Sequence, residues 1–301
     1  MRHLQQIAYI DAVARTGSIR RAAQSLSITS TALNRRILSV EEDLGTPIFE
    51  RTGKGVRLSV AGEVFIHHVR QQLADMEKVK SRIADLQGER RGVVSIACGQ
   101  ALMHGILPRL VSDYRSQHPF VDFRVTVCGR YEAADRLMDF SADLAVVFEP
   151  DISADMQVLL KVPQDVFAVV PRAHPLAEKS VLSLSDCAAF PLALPSRRSG
   201  LRALLENAAG KLGINLWVSL ESDSMEFLNQ EMADERLIRF QIAAVAEVLS
   251  LQAGQVAIRL STRELDSGSL VVLQQKGRTL PVAAARFMDQ LTAALAEPAA
   301  R

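Results

Sequence analysis

The chain has 301 residues, 48% hydrophobic and 23% charged, with a formal net charge of +1. This is a globular composition with apolar material for two or three cored domains, and it excludes a disordered or low-complexity chain. No apolar run approaches the ~20 residues needed to span a bilayer, and the opening MRHLQQIAYIDAVARTGS lacks the apolar core and cleavage site of a signal peptide, so a cytoplasmic protein with no membrane partner is expected.

Three cysteines, Cys98, Cys128 and Cys187, without CxxC spacing make neither a disulfide framework nor a zinc site. They read as buried thiols, with a thiol switch at Cys98 or Cys128 as the alternative. No metal and no other cofactor is expected. Charge is unevenly spread. Residues 1–60 carry nine Lys/Arg against five Asp/Glu, a net of +4; residues 61–90 carry five of each sign, which leaves −3 on the remainder. A basic N-terminal module on an acidic body points to a polyanion partner at one end only.

In chain order, helical spacing predicts a first helix over 3–15, with Ile7, Ile10 and Val13 as its apolar stripe and Leu4 extending it. Gly17 ends it and Ser18 caps a second helix whose Ile19, Ala22, Ala23 and Leu26 share one face. Ser27-Ile28 makes a turn, and Thr29 caps a third helix in which Leu33, Ile37, Val40 and Leu44 face the core. Ser30, Thr31, Asn34 and Arg35 fall on the opposite side near its N-terminus, where a recognition helix presents groups to base edges. An ordinary solvated helix face is the competing reading for that helix alone. Gly45 closes the helix, and TPIFERTGKGVRLS reads as a hairpin tipped by Gly53-Lys54-Gly55 and flanked by Arg51 and Arg57, a basic wing. The candidate DNA-contacting residues are therefore Arg20, Arg21, Arg51, Lys54 and Arg57 for phosphates, and Thr29, Ser30, Thr31, Asn34 and Arg35 at the groove.

Over 1–65 the chain resembles the LysR-type transcriptional regulators, in Gly17-Ser18, Ala22-Ala23, Leu26, Ala32, Ile37, Glu41, Leu44-Gly45, Ile48-Phe49, Arg51, Val56, Leu58 and Ala61-Gly62. The likeness is looser over the rest but full-length. Ser30 and Asn34 stand where that family usually has glutamine and serine, and Ser59 where threonine is common. The resemblance implies double-stranded DNA with an interrupted inverted repeat as partner, a small-molecule effector, and RNA polymerase as a possible further contact. It also implies a homodimer through the next helix and, beyond that, a homotetramer.

That helix spans 60–88, with Phe65, Val69, Leu73, Met76, Val79 (or Lys80), Ile83 and Leu86 near a heptad seam. A helix packed on its own chain is the alternative. His67-His68 lacks a third ligand and reads as surface. Gly88 to Gly92 is a charged linker. Beyond it strands alternate with helices, an α/β pattern. Strands are expected at 92–98, 121–128, 143–148, 164–170, 190–194, 214–220, 236–241 and 269–274. Helices are expected after Gly99 as far as His118, and at 131–139, 200–212, 224–233 and 281–296. His174-Pro175-Leu176-Ala177 matches a turn of the resembled family, with His174 as a turn residue.

The expected fold is thus a winged helix-turn-helix over 1–59, helical with a small β wing, then a linker helix over 60–90 and an effector domain over 91–301. The last is a two-lobed α/β body like the type 2 periplasmic-binding-protein fold, with lobe I at about 91–162 and 267–301 and lobe II at about 163–266. Ligands in such folds sit between the lobes at the carboxyl ends of strands. Gly99, Gln100, Ala101, Tyr131, Phe148, Ser196, Arg197, Arg198, Ser222 and Met225 are the candidate lining. The helix start after Gly99 and an arginine among Arg130, Arg197 and Arg198 would suit an anionic effector; a solvated loop face is the other reading of those arginines. Met232 to Gln241 replaces a glycine-rich segment common in the family and often at the cleft. Catalytic residues are not expected: GxSxG, Walker A, HExxH and a strand-linked GxGxxG are all absent. A sensor that had lost DNA binding would have lost the polar helix face and basic wing.

Overall fold

The computed structural model describes residues 2–53, 55–87, 90–229, 236–245 and 254–296. Its contacts divide the chain into Met1–Ile83 and Ala84–Arg301. The first unit holds α1 (Arg2–Thr16), α2 (Ile19–Ser25), α3 (Ser30–Leu44), a hairpin of β1 (Phe49–Thr52) and β2 (Gly55–Leu58), and the start of α4 (Val60–Leu86). Val13, Ala22, Ala23, Leu33 and Ile37 form one small core and Ile7, Ile10, Val40, Ile48, Ile66 and Val69 another. The local signals act as expected. Gly17 and Gly45 take left-handed φ angles, the Ser18 hydroxyl accepts from Arg21 N, and the Thr29 hydroxyl accepts from Ala32 N. Leu44 departs from expectation: it is 43% exposed. It continues the stripe of Leu33, Ile37 and Val40 in angle, but as the last residue of α3 it lies past the end of the core those three build.

The hairpin is fixed by close backbone approaches. Val56 N donates to Gly17 O, and a Cβ at Gly55 would sit 2.3 Å from that same oxygen. Glu41 Oε1 accepts from both Ile48 N and Phe49 N. Ser59 donates to Pro47 O and accepts from Gly62 N, and Gly62 lies so near Ile48 that a Cβ there would meet Ile48 O at 2.0 Å.

Along α4 the expected seam divides. Phe65, Val69 and Leu73 pack, with Ile66, on the core of their own module. Val79 and Ile83 are about half exposed and Leu86 is 82% exposed. A heptad repeat identifies which face is apolar; it does not say which partner each turn covers, and here the first turns are taken by α1 and the residues entering the hairpin. His67 and His68 are exposed, as expected.

The second unit contains two sheets. Lobe I has strand order β4-β3-β5-β13-β6, made of β3 (Gly92–Cys98), β4 (Val121–Val127), β5 (Leu144–Phe148), β6 (Met156–Gln164) and β13 (Gly268–Gln275). β3, β4 and β5 are mutually parallel, and β13 runs antiparallel to β5 and β6. α5 (Ile106–Gln117), α6 (Glu132–Met138) and α10 (Val282–Ala296) cover this sheet. Lobe II has the order β10-β9-β11-β7-β12-β8. Its strands are β7 (Val166–Pro171), β8 (Val181–Leu182), β9 (Leu192–Pro195), β10 (Val218–Ser222), β11 (Ile238–Ile242) and β12 (Gln255–Leu260), accompanied by α7 (Leu184–Ala188), α8 (Gly200–Leu212) and α9 (Met225–Asn229). The chain passes between sheets twice, from β6 to β7 at Asp165 and again between β12 and β13. The Ser267 hydroxyl donates to Asp165 Oδ1 and ties the two crossings.

Several elements differ from expectation. β6, β8, α7 and β12 were not foreseen. β6 is an edge strand whose residues are mostly partly or fully exposed, so no strict alternation marks it. The segment after Gly99 is a four-residue 3-10 turn (Gln100–Met103), and α5 starts only at Ile106. β10 begins at Val218, four residues late. The expected helix over 224–233 runs outside the described residues after Asn229, as do 232–235 of the atypical segment and residues 88–89 of the linker. His174 is buried in its turn: Nδ1 accepts from Leu176 N and Nε2 faces Arg236 O, so the neutral ring serves as a brace.

One buried ion pair holds lobe I. Asp143 accepts from Arg278 Nη2 at 2.6 Å and from Ser95 N at 2.9 Å, while Arg278 Nη1 donates to Ala142 O. Burial pushes the Asp143 carboxyl up, and Arg278 opposes that shift. Replacing Asp143 by alanine removes the buried carboxylate that both Arg278 Nη2 and Ser95 N donate to. The expected loss is about 3–5 kcal/mol of stability, read by urea denaturation; a loss below about 1 kcal/mol would show the pair behaves as a surface bridge.

Candidate functional site

In the first unit a groove runs between the N-terminal turn of α3 and the hairpin. Ser30, Thr31 and Asn34 on α3 and Arg51 on β1 line it, together with Ser18, Ile19, Thr52, Gly55 and Val56. Arg51 reaches Asn34 Oδ1 at 3.5 Å, the outer limit of a hydrogen bond. Ser30 and Thr31 are exposed and sit on the first turn of α3, at the positive end of the helix dipole.

The other expected residues sit around this groove. Arg20 and Arg35 are exposed. Arg21 is turned back to donate to Thr16 O, Thr29 is occupied by its capping bond, and Arg57 is paired with Glu50 directly across the hairpin. Lys54 lies outside the described residues. Ser18 and Thr52 were not singled out from sequence. Ser18 was read only as a cap, and Thr52 has no neighbour in sequence that marks it.

In the second unit the carboxyl ends of β3, β4, β5, β9, β10 and β11 converge on a cleft with a cavity of about 160 Å³. Seven of the ten expected residues line it: Gly99, Gln100, Ala101, Phe148, Ser196, Arg198 and Met225. Tyr131, Arg197 and Ser222 do not. The Tyr131 ring is 55% exposed and lies under the Arg130 guanidinium, 4.9 Å from it. The Arg197 side chain is 79% exposed and leans on Glu206. Ser222 turns its hydroxyl to Ser224 N as a local turn. In each case strand-end position was read correctly, but side-chain direction was not given by position.

The cleft is narrow because backbone meets backbone across it. A Cβ on Gly200 would lie 1.9 Å from Phe148 O, and Gly129 lies 3.1 Å from Arg198 Cβ by the same measure. Three further bonds cross it: Arg130 N donates to Arg198 O, Gln100 Oε1 accepts from Met225 N, and the Arg198 guanidinium pairs with Glu132. Arg130 Nε donates to Glu149 O. Sequence reasoning passed over Cys128 and Gln241 as lining, and took in Asp223 only as part of the stretch from Ser222 to Met225. Cys128 and Asp223 each follow a strand, a usable signal; Gln241 closes the segment already marked as atypical. Burial pushes the Cys98 thiol up to about 12, the Cys128 thiol up to about 11 and the Cys187 thiol up to about 12. All three are free and buried.

Comparison with known proteins agrees with both halves. Residues 4–63 match the family described as bacterial regulatory helix-turn-helix protein, lysR family, and residues 87–296 match the LysR substrate binding domain. The HTH-type transcriptional activator CmpR of Synechocystis sp. is 24% identical over 294 residues, covering 96% of this chain and 95% of that protein. Full-length CbnR complexed with its target DNA superposes with a TM-score of 0.64 at 21% identity, over 95% of this chain and 97% of that one. The regulatory domain of Synechocystis PCC6803 CcmR in complex with 2-PG gives a TM-score of 0.61 at 20% identity, over 69% of this chain and 99% of that one. A family match that spans the helix-turn-helix module and most of the remaining chain assigns this protein to the LysR family of transcriptional regulators.

Proposed function

We propose that the groove beside α3 binds double-stranded operator DNA as an interrupted inverted repeat, and that the cleft binds the small-molecule effector that modulates this. The observation that carries the reading is the polar groove in which exposed Ser30 and Thr31 and half-buried Asn34 face a hairpin that carries Arg51. A recognition helix so placed presents its N-terminal residues to base edges while the wing meets backbone. Arg20, Arg21 and Arg57 supply further cations around it and Arg35 a further group for the bases, while Lys54, the remaining expected phosphate contact, lies outside the described residues. Two modules come together as a homodimer through the exposed turns of α4 at Val79, Ile83 and Leu86, and dimers pair into a tetramer. RNA polymerase is the partner that a promoter-bound regulator reaches next. The full-length CbnR complex with DNA and the CcmR domain with 2-PG support both halves of this reading.

The protein works as a cytoplasmic regulator without an enzymatic step. No helix among the described residues is long and apolar enough to cross a membrane. Ligand occupancy acts by shifting the balance between cleft conformations, in proportion to its differential affinity for them.

Operator affinity should fall steeply with salt, since each phosphate contact releases counterions. Arg51→Ala should flatten the slope of log K against log salt by about one, whereas Ser30→Ala should keep the slope and alter operator preference. A flat salt dependence in the parent would remove the assignment. The thiols provide a second check. With every cysteine buried and its thiolate disfavoured, iodoacetamide at pH 7.5 should leave the native protein unlabelled and label all three after unfolding, as read by mass spectrometry. Rapid labelling of Cys128 in the native state would favour thiol sensing instead.

A further inference from the structure

The two faces of the wing differ in charge. Successive residues of a strand point to opposite sides. On one side Phe49 and Val56 pack against the cores of the module. Arg51 shares that side and lines the groove, where its contact among the described residues is Asn34 Oδ1 and no carboxylate. On the other side stand Glu50 and Arg57, directly opposite each other in the register of β1 and β2 and both exposed. Arg57 Nε donates to Glu50 Oε2 at 2.9 Å, and Arg57 Nη2 lies 2.6 Å from the same oxygen. Among the described residues neither side chain makes another ion pair.

At an ionic strength of about 0.1 M the screening length is about 10 Å, far more than the separation of these two charges. A phosphate approaching the outer face therefore meets Glu50 and Arg57 as one neutral pair. A phosphate approaching from the groove meets Arg51 as a full positive charge. The register keeps the outer pair together, because directly opposite residues on one face of a hairpin have Cβ atoms only about 5 Å apart. Phosphate contacts raise affinity for every duplex alike. An uncompensated cation on the outer face, away from the groove, would add affinity of that kind alone.

We propose that Glu50 limits the sequence-independent affinity of this protein for DNA by cancelling the charge of Arg57, so that among the described wing residues Arg51 is the cation that acts with its full charge. This rests on the DNA-binding reading above and refines the part of Arg57 in it. The guanidinium stands beside the groove, but it acts as a net positive charge on phosphate only when Glu50 is removed.

The full-length protein is titrated against a random-sequence duplex by fluorescence anisotropy, between about 50 and 200 mM salt. Glu50→Gln is expected to bind about fivefold tighter at about 0.1 M salt and to steepen the slope of log K against log salt by about one. The double variant Glu50→Gln with Arg57→Ala should return to the slope and affinity of the parent, because a cancelled pair and two neutral side chains present the same charge. Both positions are exposed, and the hairpin is anchored elsewhere, by Glu41 and by Val56 N on Gly17 O. Three results overturn the inference while leaving DNA binding in place. One is Glu50→Gln matching the parent. Another is a double variant flatter than the parent, which would put Arg57 on phosphate already. The third is a double variant as steep as Glu50→Gln, which would assign the gain to lost repulsion by Glu50 alone. If binding by the parent does not depend on salt, the DNA-binding reading falls as well.

Discussion

Two backbone N–H groups at the entry to the wing, those of Ile48 and Phe49, are satisfied by one carboxylate oxygen of Glu41. Because that carboxylate belongs to α3, the chain entering the hairpin takes its position from α3 itself. The opposite side of the hairpin is set by Val56 N on Gly17 O, where a side chain at Gly55 would not fit. Ser59 and Gly62 then bring α4 against Ile48. The groove therefore has its two ends fixed by the Glu41 carboxylate and by the main-chain contact at Gly17, with Arg51 reaching Asn34 across it.

The cleft follows the same logic at larger scale. Parallel strands bring their carboxyl ends to one edge of each sheet, and the glycines at 129 and 200 let the two edges meet at backbone distance. The bonds across it engage Arg198, Arg130 and Gln100, the residues that sequence alone would assign to a ligand.

The helix-turn-helix was legible in nearly every detail because its signals are local. Gly17, Ser18, Thr29 and Gly45 act within four residues of themselves, and the small alanines of α2 mark a helix contact directly. The two-lobed body was legible as alternating strands and helices together with a family resemblance. What escaped was non-local. β6 and β12 pair with strands far away in sequence and carry weak alternation. The orientations of Tyr131, Arg197 and Ser222 depend on neighbours from other elements. In α4 the repeat was visible, but the turning point at which own-chain packing stops, after Leu73, was not.

Ser30 and Thr31 are exposed, and neither enters a core. The residues that shape the groove, Gly17, Glu41, Gly55 and Gly62, are different ones. Mutations at Ser30 and Thr31, the positions proposed to read DNA, can thus accumulate without eroding the framework. A gene duplicate of this regulator could acquire a new set of promoters while keeping its fold, its assembly and its response to the same small molecule.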